Sequence, residues 1–283
     1  MPGFNGGRDT CSLAPRLNVS RHRGGSGRCG DCTHAAARHV AEWRFRRLTW
    51  CGELGRGGWL SYPRVRLRGM ASFVLIHGGG GSAWDWHLLV PELASRGHDV
   101  VVPELPIEDR SAGFAEFCET VVNAIGDRSE LVVVGHSYGG FTAPLIADRL
   151  PVRLLVLLTP MVPAPGERPG DWWGNTGYRG VEGLSEEQQF YNGVPAEIVA
   201  EAAAHGRDQV SAEWNEPWPL DAWPDVPTKV LIAREDRFFP ADFQRRVAAD
   251  RLGAPPDEID GGHSVALSHP KQIADRLTGY LLP

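Results

Sequence analysis

A serine hydroxyl is a poor nucleophile at neutral pH. It becomes a good one when a base stands within hydrogen-bond reach and a carboxylate orients that base. The stretch Gly135-His136-Ser137-Tyr138-Gly139-Gly140 offers a serine in a setting that suits this chemistry. The apolar run Leu131-Val132-Val133-Val134 leads into it, and Phe141-Thr142-Ala143-Pro144-Leu145-Ile146-Ala147 leads out. A buried strand, a Gly-x-Ser-x-Gly turn and a helix in that order make a nucleophile elbow. Side chains at Gly135 and Gly139 would collide with the backbone of so tight a turn. The helix that follows aims its N-terminus at the reaction centre.

Three histidines follow Ser137: His205, His263 and His269. His205 closes an Ala-rich helical stretch and reads as a helix C-terminal cap. His269 precedes Pro270 and reads as a flank of the last helix. His263 sits in Asp260-Gly261-Gly262-His263-Ser264, a loop beyond the expected strand over 257–259, and is the candidate base. The orienting acid is expected just past the strand over 230–233, where Glu235 and Asp236 stand. Asp236 is the favoured acid and Glu235 the alternative; Asp225 lies before that strand, at its wrong end. Arg234 and Arg237 are placed to help hold either carboxylate ionised.

Acyl transfer also needs two fixed donors for the developing oxyanion. The backbone N–H of Tyr138 is one candidate. The other is Gly79, in the loop His77-Gly78-Gly79-Gly80-Gly81 after the first core strand. A phosphate-binding reading of this loop lacks the Lys-Ser/Thr pair it requires. His77 and His136 read as loop-orienting side chains rather than a metal pair, and no metal or cofactor is expected.

These groups must be carried by alternating strands and helices. Apolar β-rich runs predict strands over 73–76, 100–102, 131–134, 154–158, 229–233 and 257–259. Helical spacing of Phe114, Phe117, Cys118, Val121, Val122 and Ile125 predicts a helix with Cys118 in the core. Further helices fit 140–149, about 241–251 and 270–281. The pattern predicts an α/β fold with a mostly parallel sheet flanked by helices, whose sites form at the carboxyl ends of strands.

Residues 1–69 are unlike the rest. They hold 13 Arg, no Lys and four acidic residues, against 16 basic and 31 acidic residues from position 70 onward. They show no useful apolar period and are expected to be a disordered Arg/Gly-rich segment. Met70 reads as a natural start that enters a strand at once, so that the native protein would comprise 70–283. Cys29-Gly30-Asp31-Cys32 with His34 and His39 invites a zinc reading, but the ligand pairs stand too close together. No secretory h-region follows the charged start, and no apolar run approaches the ~18 residues of a membrane span. The acidic body argues against nucleic acid. Neither a nucleic acid nor a membrane is expected as a partner, and the expected compartment is cytoplasmic.

The set His77-Gly78-Gly79-Gly80, Gly135-His136-Ser137-Tyr138-Gly139-Gly140, Asp236 and Gly262-His263 resembles the α/β-hydrolase superfamily. Within it, the chain is similar to the small serine esterase branch of plant methylesterases and hydroxynitrile lyases. The resemblance runs from about Met70 to the C-terminus. It implies a sheet lacking the family's first two strands and a helical cap inserted over about 161–227. That stretch holds Trp172, Trp173, Tyr178, Phe190, Tyr191, Trp214, Trp218 and Trp223, expected as a small satellite core or as the lining of an apolar substrate tunnel. A serine rather than an aspartate at the elbow disfavours epoxide-hydrolase and dehalogenase chemistry. Hydroxynitrile lyases of this branch carry a lysine beside the catalytic histidine, whereas Ser264 follows His263 here. The resemblance therefore implies hydrolysis of small carboxylic esters with an apolar or aromatic part. C–C bond cleavage on the same residues, or ligand binding without catalysis, are the alternatives.

Overall fold

A computed structural model of the protein describes residues 70–282. The readings of Cys29, Cys32, His34, His39 and the Arg-rich segment fall on 1–69 and lie outside the described residues. Six strands make one sheet: β1 (Ser72–Ile76), β2 (Asp99–Val101), β3 (Leu131–His136), β4 (Val152–Leu158), β5 (Thr228–Ala233) and β6 (Asp257–Ile259). Their order is β2-β1-β3-β4-β5-β6 and every neighbouring pair is parallel. Parallel neighbours require crossovers. These are α1 (Leu89–Ser95), α2 (Phe114–Ile125), α3 (Gly139–Arg149), and, between β4 and β5, α4 (Pro169–Asn175), α5 (Glu186–Phe190) and α6 (Ala196–Ala202). Helix α7 (Ala241–Leu252) joins β5 to β6, and α8 (Val265–Ser268) and α9 (Pro270–Gly279) end the described chain. The strands and the longer helices fall where the apolar periods predict them. The short helices α1, α4, α5 and α8 have too few turns to show a period.

The strand sequences are apolar throughout because both faces of the sheet are covered. Val74, Ile76, Leu131, Val133, Leu155, Leu157, Val230 and Ile232 point to one core, shared with α2, α3 and α7. The residues between them, Phe73, Leu75, Val132, Val134, Leu154, Val156, Leu158 and Leu231, point to the other, shared with α1 and α9. This is the period-two alternation of a pleated strand, with both sides buried. Cys118 is buried in the first core as its helical position predicts, and burial pushes its thiol pKa up to about 11.

The chain runs from β1 outward to β2, then returns to place β3 on the other side of β1. Strand order therefore reverses between β1 and β3, the place at whose carboxyl ends an open parallel sheet binds its ligands. Ile76 pairs with Gly135 there. The glycine loop that leaves β1 and the serine turn that leaves β3 are thus brought side by side by the sheet itself.

The cap aromatics differ from a satellite core. Trp172 and Trp218 are fully buried in the core that α2 and α3 share. Their indole N–H groups donate to the carbonyls of Val162 and Phe141, each at 2.9 Å. The cap is also tied to α7 by a buried ion pair. Glu167 accepts from Nη1 and Nη2 of Arg251, at 2.5 and 2.9 Å, and from Asn175 and the Ala164 N–H, at 2.8 and 3.1 Å. Its side chain is only 3% exposed, so removal of the arginine strands a buried charge. Arg251→Met is expected to lower the unfolding free energy by about 3–5 kcal/mol in urea titrations, against no measurable change for Lys271→Met, whose pair with Asp275 is exposed.

Candidate active site

Ser137 is the first residue past β3, and its φ of +50° puts a non-glycine residue in the left-handed region. Such a conformation costs on the order of 1–3 kcal/mol and persists only where its surroundings over-determine it. Here its N–H donates to the Leu158 carbonyl at 3.0 Å. Its own carbonyl accepts from Gly140 and Met161 at 3.0 and 2.9 Å. A Cβ at Gly135 would stand 2.6 Å from the Gly139 carbonyl oxygen, and one at Gly139 would stand 2.7 Å from that of His77. The backbone approach that the Gly-x-Ser-x-Gly spacing predicts is therefore present at both glycines.

The structure brings Ser137, His263 and Asp236 into one hydrogen-bonded line. His263 Nε2 lies 2.9 Å from Ser137 Oγ, and Nδ1 lies 2.9 Å from Asp236 Oδ2. All three side chains are buried. An ionised carboxylate only accepts, so Nδ1 carries the imidazole proton and Nε2 is left to accept from the serine hydroxyl. Asp236 is held from behind: Oδ1 accepts the Phe238 and Phe239 N–H groups at 2.8 Å each, and Oδ2 accepts the Gln244 amide at 3.2 Å. Arg234 does not serve it. That side chain pairs with Glu258 at 3.1 Å and with Asp260, and among the described residues no arginine pairs with Asp236. Glu235, the alternative acid, turns away to accept from the Gly261 N–H.

The histidine loop is braced by the cap. Ser264 N–H donates to the Phe190 carbonyl at 3.0 Å, and Asn192 donates to the Glu235 carbonyl at 2.8 Å. The rings of Phe190, Phe238 and Phe239 stand edge-on to His263 at 5.4, 5.0 and 5.3 Å. They give its buried ring apolar neighbours on the side of the cap and the β5 loop. His205 and His269 stand elsewhere. His205 follows α6 and stacks on Trp84 at 4.7 Å, and His269 joins α8 to α9, flanking the last helix as its sequence position predicts.

Gly79 and Tyr138 face each other across the two loops, for a Cβ on Gly79 would stand 3.5 Å from that of Tyr138. Among the described residues neither backbone N–H has an acceptor, whereas Gly80 and Gly81 donate to Gln209 and to Gly78. His77 and His136 hold these loops from beneath. His77 Nδ1 donates to the Gly78 carbonyl at 2.8 Å, and Nε2 accepts from Leu105 N–H at 3.2 Å. His136 Nε2 donates to the His263 carbonyl at 3.0 Å. Sequence reasoning missed Gln244, Gln209, Glu213 and Asn192, because nothing in their local sequence distinguishes them from solvated side chains.

Burial keeps both loop histidines neutral, lowering the His77 pKa and taking that of His136 to about 3. A folded pKa depressed below the ordinary histidine value means that only the unfolded chain gains a proton near pH 5. The stabilisation is complete above pH 6.5 and is lost as pH falls below it. His136→Gln keeps a donor without the titration. Between pH 7.5 and pH 5 it is expected to lose about 2 kcal/mol less unfolding free energy than the native chain in parallel urea titrations.

Comparison with known proteins bears on the family and the fold. The model of the alpha/beta hydrolase family matches residues 73–276. An alpha-hydroxynitrile lyase of Arabidopsis thaliana is 26% identical over 245 residues, covering 73% of this chain and 95% of the lyase. Methylesterase 9 of the same plant is 35% identical over 97 residues, covering 31% of this chain and 38% of the esterase. The crystal structure of polyneuridine aldehyde esterase superposes with a TM-score of 0.63 at 20% identity, over 75% of this chain and 99% of the esterase. With the reversed strand order, the serine turn after β3 and a family match spanning the whole sheet, this chain belongs to the alpha/beta hydrolase family.

Proposed function

We propose that the protein is a serine hydrolase of small carboxylic esters with an apolar or aromatic part, acting through an acyl-enzyme on Ser137. The observation that carries this reading is the buried Ser137–His263–Asp236 line, with 2.9 Å at each link. In this mechanism Ser137 Oγ attacks the ester carbonyl while His263 Nε2 takes its proton. Asp236 holds the imidazole in the tautomer that can accept and stabilises the imidazolium that forms. The Gly79 and Tyr138 N–H groups receive the oxyanion, having no other acceptor to leave. His263 then protonates the departing alkoxide, and water attacks the acyl-enzyme by the reverse path. No metal or cofactor enters these steps. The phenylalanines around His263 favour a substrate whose buried part is apolar.

The lyase relative raises cyanohydrin cleavage as a second reading. The lysine that the resemblance implies for such a reaction is replaced beside His263 by Ser264, and the two lysines of the chain are elsewhere. Lys229 lies in the first half of β5, at the end away from the elbow, and sits over Tyr280. Lys271 pairs with Asp275 on α9. Ester hydrolysis is the better-supported reaction.

A fluorophosphonate probe is expected to label the native protein at Ser137 and to leave Ser137→Ala unlabelled. A folded native protein that takes no label would point to ligand binding without catalysis. Against a panel of p-nitrophenyl and methyl esters, Asp236→Asn is expected to lower kcat by about 10⁴ through loss of tautomer and orientation. Glu235→Gln is expected to stay within about tenfold of the native rate, since that carboxylate braces Gly261 rather than His263. The reverse ranking would reassign the acid.

A further inference from the structure

Glu213 lies in the cap, in a 3-10 turn over Ala212–Asn215, and is fully buried. Buried carboxylates are rare unless their hydrogen bonds matter. Its Oε1 accepts from the Tyr138 hydroxyl at 3.0 Å and from the Gln209 side-chain amide at 2.7 Å, while Oε2 has no partner. Gln209 reaches in the other direction as well, for its Oε1 accepts the Gly80 N–H at 3.3 Å. Arg207 N–H grips the same glycine from the opposite side, donating to the Gly80 carbonyl at 2.9 Å. The segment is itself pinned to the body of the fold. Val210 and Ser211 donate to the Ile107 carbonyl at 2.9 and 3.1 Å, and Ala212 donates to that of Ala112 at 2.8 Å.

A continuous chain of hydrogen bonds thus runs from Gly80 through Gln209 and Glu213 to the hydroxyl of Tyr138. Its two ends lie on the two loops that present the Gly79 and Tyr138 N–H groups. Those loops leave different strands, and one is a run of four glycines with little conformational preference of its own. Two donors stabilise an oxyanion only if their mutual position is set before the charge develops. The Tyr138 ring is confined laterally by Phe141 and Trp214, at 5.5 and 5.6 Å, so a pull on its hydroxyl is transmitted to its backbone.

We propose that Glu213 and Gln209 are positioning residues that clamp the two oxyanion-donor loops to each other from the cap, through the Tyr138 hydroxyl and the Gly80 N–H. Neither side chain is placed in contact with the reacting atoms. The proposal rests on the acyl-transfer reading above and adds that the cap takes part in setting kcat.

The test compares the native chain, Tyr138→Phe, Glu213→Leu, Glu213→Gln and the Tyr138→Phe/Glu213→Leu pair on one p-nitrophenyl ester. Thermal melting and fluorophosphonate labelling rates are measured in parallel. Tyr138→Phe removes only the hydroxyl, and so tests the clamp even if Glu213→Leu folds poorly. Each of these two single variants is expected to lower kcat, and the labelling rate with it, by about 10–100-fold, less than the full loss of an oxyanion donor. KM should stay within about threefold, because the ground-state ester does not yet need both donors. The double variant should be no worse than about threefold below the poorer single one, since both cut the same chain. Glu213→Gln keeps the Oε1 acceptor and should recover most of kcat. The acid limb of the pH–rate profile should not move, since His263 is untouched. An unchanged kcat in Tyr138→Phe, effects that multiply in the double variant, or a loss confined to KM would overturn the clamp while leaving ester hydrolysis intact. A native protein that neither labels nor hydrolyses would instead overturn the acyl-transfer reading on which the clamp depends.

Discussion

The left-handed backbone of Ser137 is the constraint from which the rest of the site follows. An unfavourable φ at a non-glycine residue relaxes unless hydrogen bonds and close packing forbid it. Here the carbonyl of Leu158 and the amides of Gly140 and Met161 hold the residue from the end of β4 and the start of α3. The elbow is therefore a property of three neighbouring elements rather than of six residues. Gly135 and Gly139 are needed because α3 starts so close to the ends of β1 and β3 that a Cβ has no room. The hydroxyl is left proud of the sheet at the place where strand order reverses, which is where an open parallel sheet leaves a crevice.

Around that point the protein builds a site with few free charges. His77 and His136 are kept neutral by burial and hydrogen-bond to loop backbone, His77 through both ring nitrogens and His136 through Nε2. Asp236 is met by two amide N–H groups and Gln244 instead of by an arginine, although arginines flank it in sequence. Backbone donors are held by the fold and carry no side-chain entropy, so they fix the carboxylate more rigidly than a flexible cation would. With the phenylalanines against His263, the Ser137–His263–Asp236 line is buried and its hydrogen bonds are set by the fold. The cap contributes at several points: Phe190 and Asn192 brace the loops of His263 and Glu235, and Trp172 and Trp218 extend the main core.

The amino-acid sequence by itself determined a good deal. The apolar runs at 73–76, 131–134 and 230–233 read as strands buried on two faces, because they are short, β-branched-rich and not interrupted by polar alternation. The Gly-x-Ser-x-Gly turn between a strand and a helix was legible as an elbow, and the order of serine, acid and histidine narrowed the partners to His263 and one of two adjacent carboxylates. These features are local, or they follow from the direction of the chain along a parallel sheet. Only the tertiary structure showed that Asp236 bonds the His263 ring while Glu235 bonds the Gly261 N–H, because neighbours in a loop point opposite ways and no spacing rule orients them. Only it showed that the cap tryptophans join the main core, that Arg234 belongs to Glu258 and Asp260, that Gln244 bonds Asp236, and that Gln209 and Glu213 bond to Gly80, to Tyr138 and to each other. Each of those outcomes depends on contacts between residues far apart in sequence, and a side chain's local sequence carries no record of which distant group it will meet.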